Sequence, residues 1–271
     1  MRVSEFIKKS LIRLANDVRR NIKRVIEGRD PEAVHDLRVS VRKLRTILRL
    51  LRKFFSKYYT NIIADELKEF FDKTSTSRDI EVSLALIGDM GIAKQDNRIL
   101  EWYEKKKKAE YELKVELINY LRSNPYNVIW KKINAILLFP LKVEGDRKAR
   151  ELVIRRIRRI ESRIMKLISE INSDIEYSPE MLHSLRILCK RLRYSIEFFK
   201  SLLPQGYEEE MKLMKRMQTS LGNLNDVFVV SNIVKYDNDL DDGLKLKMLN
   251  ALQEKQIGYL SEIRGIFQTM I

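Results

Sequence analysis

The chain has 271 residues and two histidines, and both histidines stand at the same point of a repeated pattern of cations. His35 is followed by Arg38, Arg42, Arg45, Arg49 and Arg52, in steps of 3, 4, 3, 4 and 3. His183 is followed by Arg186, Lys190 and Arg193, after which the next step falls on Glu197. On a helix of 3.6 residues per turn such steps keep the whole set on one stripe. A guanidinium is a planar fork of N–H donors that grips phosphate oxygens two at a time, so a row of them suits a repeating phosphate. An imidazole beside them can donate to phosphate and gain a proton as the anion binds. Two histidines without clustered cysteines or carboxylates are too few for a metal site, so none is expected.

The two stretches align at one offset of 148 positions. Pro31/Pro179, Glu32/Glu180, His35/His183, Leu37/Leu185, Arg38/Arg186, Leu44/Leu192 and Arg45/Arg193 are identical. Val39/Ile187, Arg42/Lys190 and Lys43/Arg191 keep their chemistry. This reads as an internal duplication. Opposite each cationic stripe runs an apolar face: Leu37, Val41, Leu44, Leu48, Leu51 and Phe55 in the first copy, Leu182, Leu185, Cys189, Leu192, Ile196 and Phe199 in the second. Val34, Val39 and Leu50 hem the first stripe, which carries no acid of its own for five turns. Like charges at these spacings repel by a few tenths of a kcal/mol per pair, and a stripe edged by apolar groups is partly desolvated. A string of anions removes both costs. Two such helices could face one another and line a cationic channel.

The elements that must carry these stripes are helices. Leu, Ile, Lys, Arg and Glu dominate, with only 9 Gly and 5 Pro, and no strand pattern of any length occurs. Val3 to Glu27 is predicted as the first helix, closed by Gly28. Asp30-Pro31-Glu32 and Ser178-Pro179-Glu180 open the two anchor helices, with a capping side chain, a proline in the first turn and an acid beside it. These helices should run about 20–24 residues, to about Phe54 and Leu202, the second being stopped by Leu203-Pro204-Gln205-Gly206. Each is followed by a helix, a polar turn and a short helix: Tyr58–Lys73, Thr74–Asp79 and Ile80–Ile87, then Tyr207–Thr219, Leu221–Asp226 and Val227–Val234. Asp79 and Asp226 are expected as first-turn helix acids. Gly88–Gly91 precedes a long charged helix to Tyr120, whose run Lys105–Lys108 is expected on a solvated face. A short apolar helix follows Asn124-Pro125. Val143–Asp146 is the expected boundary between halves 1–145 and 146–271, with Arg147 opening the counterpart of the first helix and one or two helices after Asp241.

Composition bounds the function. Lys+Arg 53 against Asp+Glu 38 gives a formal net charge of +15, which favours a polyanionic partner. At 44% hydrophobic and 34% charged residues the chain reads as a soluble globular protein, and no apolar run approaches the ~20 residues that span a bilayer. The first twenty residues carry charge throughout, unlike a signal peptide. With one cysteine, Cys189, no disulfide can form within the chain, so a cytoplasmic location is expected.

The motifs HDLRVSVRKLR and HSLRILCKRLRYSIEFF resemble the two signature helices of the CHAD family, the conserved histidine α-helical domain. Ser77-Arg78-Asp79-Ile80-Glu81-Val82 resembles that family's Arg-Asp turn, and Leu221-Gly222-Asn223-Leu224-Asn225-Asp226 its Leu-Gly-x-Leu-Asn-Asp turn. The resemblance covers nearly the whole chain, in order. It implies an all-α fold of two pseudo-symmetric helical bundles that binds inorganic polyphosphate in a basic groove; since no acid/base or metal constellation stands out in the sequence, binding without catalysis or cofactor is expected. Carried over by position, the binding residues are His35, Arg38, Arg42, Arg45, His183, Arg186, Lys190 and Arg193, with Arg49, Lys68, Arg78 and Lys215 as outer candidates. Lys190 departs from the arginine of the first copy, and the Thr74–Ser77 turn lacks the glycine of the second. A nucleic-acid binder is the alternative, although the stripe lacks interleaved aromatics for stacking and side chains for base edges. A polyphosphate or triphosphate hydrolase is the second, although no acidic cluster suited to Mg²⁺ is evident.

If the stripe is a ligand surface and the opposite face a core, the two must respond differently to substitution. Replacing Arg42 and Arg45 together by Gln should leave the fold intact. Replacing Leu44 by Ala should cost about 2–5 kcal/mol through the cavity it leaves. The same contrast is expected of Lys190 and Arg193 against Leu192, and thermal melting of each variant checks it.

Overall fold

A computed structural model of the chain describes residues 2–94, 96–142, 145–173, 178–204 and 206–270. Its regular structure, among those residues, is ten α-helices and two short 3-10 turns, with no strand. The helices are α1 (Val3–Glu27), α2 (Ala33–Leu51), α3 (Lys57–Asp72), α4 (Ser75–Asp89), α5 (Asn97–Arg122), α6 (Tyr126–Leu138), α7 (Asp146–Ser173), α8 (Pro179–Phe199), α9 (Glu208–Tyr236) and α10 (Asp242–Gln268). The fold is all-α. Val143 and Glu144 of the expected boundary, and Gln205 of the expected stop, lie outside the described residues.

The chain divides into two compact units that interleave along the sequence. The first comprises Met1–Ser75, Val115–Arg163 and Arg191–Met211, the second Thr76–Lys114, Ile164–Lys190 and Lys212–Ile271.

In the first unit α2 packs on α1 and α3, and α6 packs on both of those. The α1 residues Val3, Ile7, Leu11, Ala15, Val18 and Val25 are buried at steps of three and four (one of seven). Gly28 ends the helix in the left-handed region at φ 68°, its N–H reaching the carbonyls of Arg24 and Val25. Entry to α2 is held by charge. Arg24 bonds the carboxylates of Asp30 and Asp36, and Asp30 Oδ1 in turn accepts from the Glu32 amide at 2.9 Å. The Arg24 bond holds the Asp30 carboxyl below the usual carboxylate range. Asp30 therefore caps the turn as its sequence suggests, but the regular helix begins at Ala33 rather than at Pro31. It also ends earlier than expected, at Leu51, because the amides of Phe54 and Phe55 both turn back to the Leu51 carbonyl. The apolar face is buried throughout: Leu37, Val41, Leu44, Leu48, Leu51 and Phe55 are each at most 3% exposed. Tyr126 of α6 is buried with them and donates to the Ala15 carbonyl at 3.1 Å.

The second unit has its core between α4, α5, α9 and α10, around Ile87, Ile99, Trp102, Val230, Val234, Leu244 and Met248. The lysine run of α5 is not simply solvated. Lys106 pairs with Asp237 at 2.6 Å and Lys105 with Asp239 at 2.6 Å, while the Trp102 indole donates to Asp237 at 3.1 Å. Burial works to raise the Asp237 carboxyl, but Lys106, the Asp239 amide and Trp102 outweigh it and hold it low.

Both expected polar turns are helical instead. After a short turn at Lys73 and Thr74, residues 75–79 are the start of α4, and Leu221–Asp226 lies wholly inside α9. The cause in α9 is a burial stripe that runs through the polar letters: Met214, Met217, Leu221, Leu224, Val227, Val230 and Val234 repeat every three or four residues. Burying that stripe outweighs the weak helix preference of Gly222, Asn223 and Asn225. Asp226 is thus mid-helix rather than a first-turn acid, and Asp79 sits beyond the first turn of α4. A Cβ added at Gly222 would meet nothing within 4 Å, and its φ is not positive. Gly222→Ala should therefore stabilise the protein by about 0.5–1 kcal/mol in denaturant unfolding. A loss of stability would mean that this segment is a turn.

Candidate functional site

Burying the leucine face of α2 leaves its cations on a neighbouring flank, about 110° round the helix rather than opposite. Arg38 is the most deeply held. Its Nη1 donates to the hydroxyls of Thr74 at 2.8 Å and Ser75 at 3.1 Å, and its guanidinium lies over the Phe71 ring at 4.2 Å. Arg42 lies over the same ring at 5.2 Å, so Phe71 carries two stacked cations. His35 stands half-buried one turn earlier. Arg45 differs from Arg38: its Nε is buried with no hydrogen-bond partner among the described residues. Burial pushes its pKa down, the Arg49 charge adds to that, and Asp72 and Asp65 of α3 work against it. Arg49 is exposed and approaches Asp65 only to 3.7 Å. The helix beside the stripe therefore supplies carboxylates that its own sequence lacks.

Past Arg49 the stripe runs into further arginines. Arg191 of α8 is half-buried, and its pKa is lowered by burial and then by the charges of Arg49, Arg163 and Arg52. Arg156 of α7 is half-buried too, lowered by burial and then by Arg52 and Arg159. The sequence reading did not assign Arg156, Arg159, Arg163 or Arg191. The signal was present in RRIRRIESR: positions 156, 159 and 163 follow steps of 3 and 4, on one stripe that flanks the buried Val153, Ile157, Ile160 and Ile164.

On α8 the apolar face is buried as expected, each of its six residues at most 3% exposed. Burial pushes the Cys189 thiol up to about 12, which makes it an inert core residue against Met217. His183 is exposed, its Nδ1 3.2 Å from Asn225 Oδ1, so the two signature motifs of the second unit meet there. Arg186 is half-buried and Lys190 is 9% exposed. Arg193, in the first unit, bonds Glu197 at 2.9 Å and lies 4.9 Å from the Tyr194 ring. Glu197 also takes Lys43 at 3.0 Å, so the residue that ends the second stripe neutralises two cations.

The outer candidates are placed less favourably. Lys68 is exposed and pairs with Asp72 of its own helix at 3.6 Å, so α3 offers the stripe acids rather than this lysine. In the second unit Arg78 pairs with Glu81 at 2.8 Å, and Lys215 is exposed on α9. Among the described residues no group of three or more His, Cys, Asp or Glu could hold a metal ion, and no helix is long and apolar enough to cross a membrane.

Two histidine-arginine helices of this make, with their paired motifs, match a known domain: residues 10–234 match the CHAD domain. The chain belongs to the CHAD family. Its fold is similar to the crystal structure of the CHAD domain from the plant Ricinus communis, with a TM-score of 0.74 and 22% identity over 99% of this chain and 92% of that one. It is also similar to PptA from Streptomyces chartreusis, with a TM-score of 0.70 and 13% identity over 99% of both chains. At these identities the likeness is one of fold. No curated protein matches the sequence.

The CHAD stripe thus holds arginines of two kinds. Arg38→Gln removes two hydroxyl acceptors and a stacked ring, and should lower stability by about 1–3 kcal/mol. Arg45→Gln breaks no hydrogen bond and should change stability by less than about 0.5 kcal/mol. Urea midpoints of the two variants check the contrast; equal losses would mean that both arginines are structural.

Proposed function

We propose that this CHAD protein binds inorganic polyphosphate along the cationic stripes of α2 and α8 and does not turn it over. The reading is supported by the family, which is linked to polyphosphate binding and metabolism. The observation that carries it is Arg45, a half-buried guanidinium with an unpartnered Nε, set between Arg42 and Arg49 on one stripe. A phosphate oxygen there would meet an unused donor and relieve the repulsion between Arg45 and Arg49. Asp65 is no obstacle, since an exposed pair at 3.7 Å is worth at most about 1 kcal/mol and yields to a stronger anion. His35, Arg38 and Arg42 extend the row towards the start of α2. On α8 His183, Arg186, Lys190 and Arg193 make the second row. Arg49 is the outer member of the first row, while the pairs made by Lys68 and Arg78 and the exposure of Lys215 make these three peripheral.

Nucleic acid is a poorer fit to the same stripe. Phe71, the aromatic ring at its side, already has Arg38 at 4.2 Å and Arg42 at 5.2 Å from its centroid, where a stacking base would compete with them.

Calorimetric titration with polyphosphate of defined length should show binding that weakens about tenfold or more between 50 and 200 mM salt, through release of counterions. The same samples, given Mg²⁺ or Mn²⁺, should release no phosphate from polyphosphate, triphosphate or ATP. Equal affinity at both salts would sink the electrostatic mechanism, and a single-stranded oligonucleotide that displaced the ligand at equal concentration would favour the nucleic-acid reading.

A further inference from the structure

Arg52, the last member of the α2 stripe, and four arginines beyond it are not used by that reading. Arg52 follows α2, Arg156, Arg159 and Arg163 share one face of α7, and Arg191 lies on α8, all within the first unit. None of the five has an ion-pair partner among the described residues, whereas Arg24, Arg49, Arg78 and Arg193 all do. Glu161, the acid that interrupts this run of α7, has Glu210 and Arg158 as its charged neighbours instead. Rotation of α7 is fixed by the burial of Ile157, Ile160 and Ile164, so the arginines cannot turn away from one another without unpacking the helix.

A guanidinium at half burial whose charged neighbours are other guanidiniums is held against both desolvation and repulsion. Surface arginines normally escape such a position by snorkelling into water or pairing with an acid. Three helical segments that converge on it without an acid form a built anion site rather than an incidental patch. It is continuous with the α2 stripe, because Arg49 belongs to the stripe and stands beside Arg191. From Arg38 to Arg52 the helix advances about 21 Å. A ligand that enters this site from the stripe must therefore be a long, regularly charged chain.

We infer that Arg52, Arg156, Arg159, Arg163 and Arg191 form a second anion subsite, joined to the α2 stripe through Arg49, that holds the continuation of the same polyphosphate chain. The inference rests on the polyphosphate reading above.

Two double variants test it. R159Q/R163Q changes exposed side chains only, and R156Q/R191Q changes the half-buried pair. Each is titrated with long-chain polyphosphate at several salt concentrations beside the wild type and the stripe variant R42Q/R45Q, with melting curves to establish folding. The expected result is an affinity about tenfold weaker for each cluster variant, with a salt slope shallower by about one for each phosphate no longer neutralised. Wild-type affinity and slope in R159Q/R163Q, which serves alone if R156Q/R191Q does not fold, would overturn the subsite. If R42Q/R45Q then still binds weakly, the polyphosphate reading stands without it. If no variant differs from the wild type, or the wild type does not bind, both fall. Cluster variants that lose affinity for a single-stranded oligonucleotide but not for polyphosphate would also overturn it.

Discussion

Burial of Leu37, Val41, Leu44, Leu48 and Leu51 fixes the rotation of α2, and that rotation alone decides where its arginines point. Each of these side chains contributes about 1.5–3 kcal/mol by leaving water, so the sum far exceeds the repulsion among the cations on the neighbouring flank. The helix cannot relieve its charge by turning, because a turn would expose the leucines. Its entrance is fixed as well, since Arg24 ties Asp30 and Asp36 to α1. The cationic stripe is therefore imposed by the core.

The surroundings treat these cations in three different ways. Arg38 is satisfied by two hydroxyls and a ring, which makes it a strut between α2 and the junction of α3 and α4. Arg49, Lys68 and Arg193 are balanced by carboxylates at 2.9–3.7 Å that a stronger anion can displace. Arg45 is offset only in part, by Asp72 and Asp65, and Arg156 and Arg191 by no acid, and all three lose proton affinity through burial. Guanidiniums remain charged even so, because their unperturbed pKa lies far above neutrality. What burial changes is how strongly an opposite charge beside them would be felt.

The period of the apolar residues carried most of the fold. α1 runs from Val3 to Glu27 as its spacing and Gly28 predict, and the core faces of α2 and α8 are those read from the step of three and four. The misreadings came where local composition competed with a long-range pattern. Leu-Gly-Asn-Leu-Asn-Asp looks like a turn, yet Leu221 and Leu224 belong to a stripe that extends to Met214 on one side and Val234 on the other. The stripe members of α2 were legible because they share one helix. Arg156, Arg159 and Arg163 were not, because their meaning depends on Arg49, Arg52 and Arg191 arriving from two other segments. The acids of α3 were missed for the same reason. Asp65 and Asp72 lie more than fifteen residues from any arginine that they influence, and only packing brings them near.

The chain's two tryptophans fall one in each compact unit. Trp130, half-buried, has the Arg19 guanidinium 4.9 Å from its ring, while Trp102 is 3% exposed, with its indole nitrogen on Asp237. Both indoles therefore have a cation over the ring, Arg19 at Trp130 and Lys106 at 5.7 Å from Trp102, but only Trp102 also has a carboxylate at its edge. The emission of each should change as its neighbours move away and the ring meets water, which gives each unit an optical signal of its own without any added dye. Removing one tryptophan at a time would turn a single fluorescence trace into two, and would show whether the units melt together or in sequence.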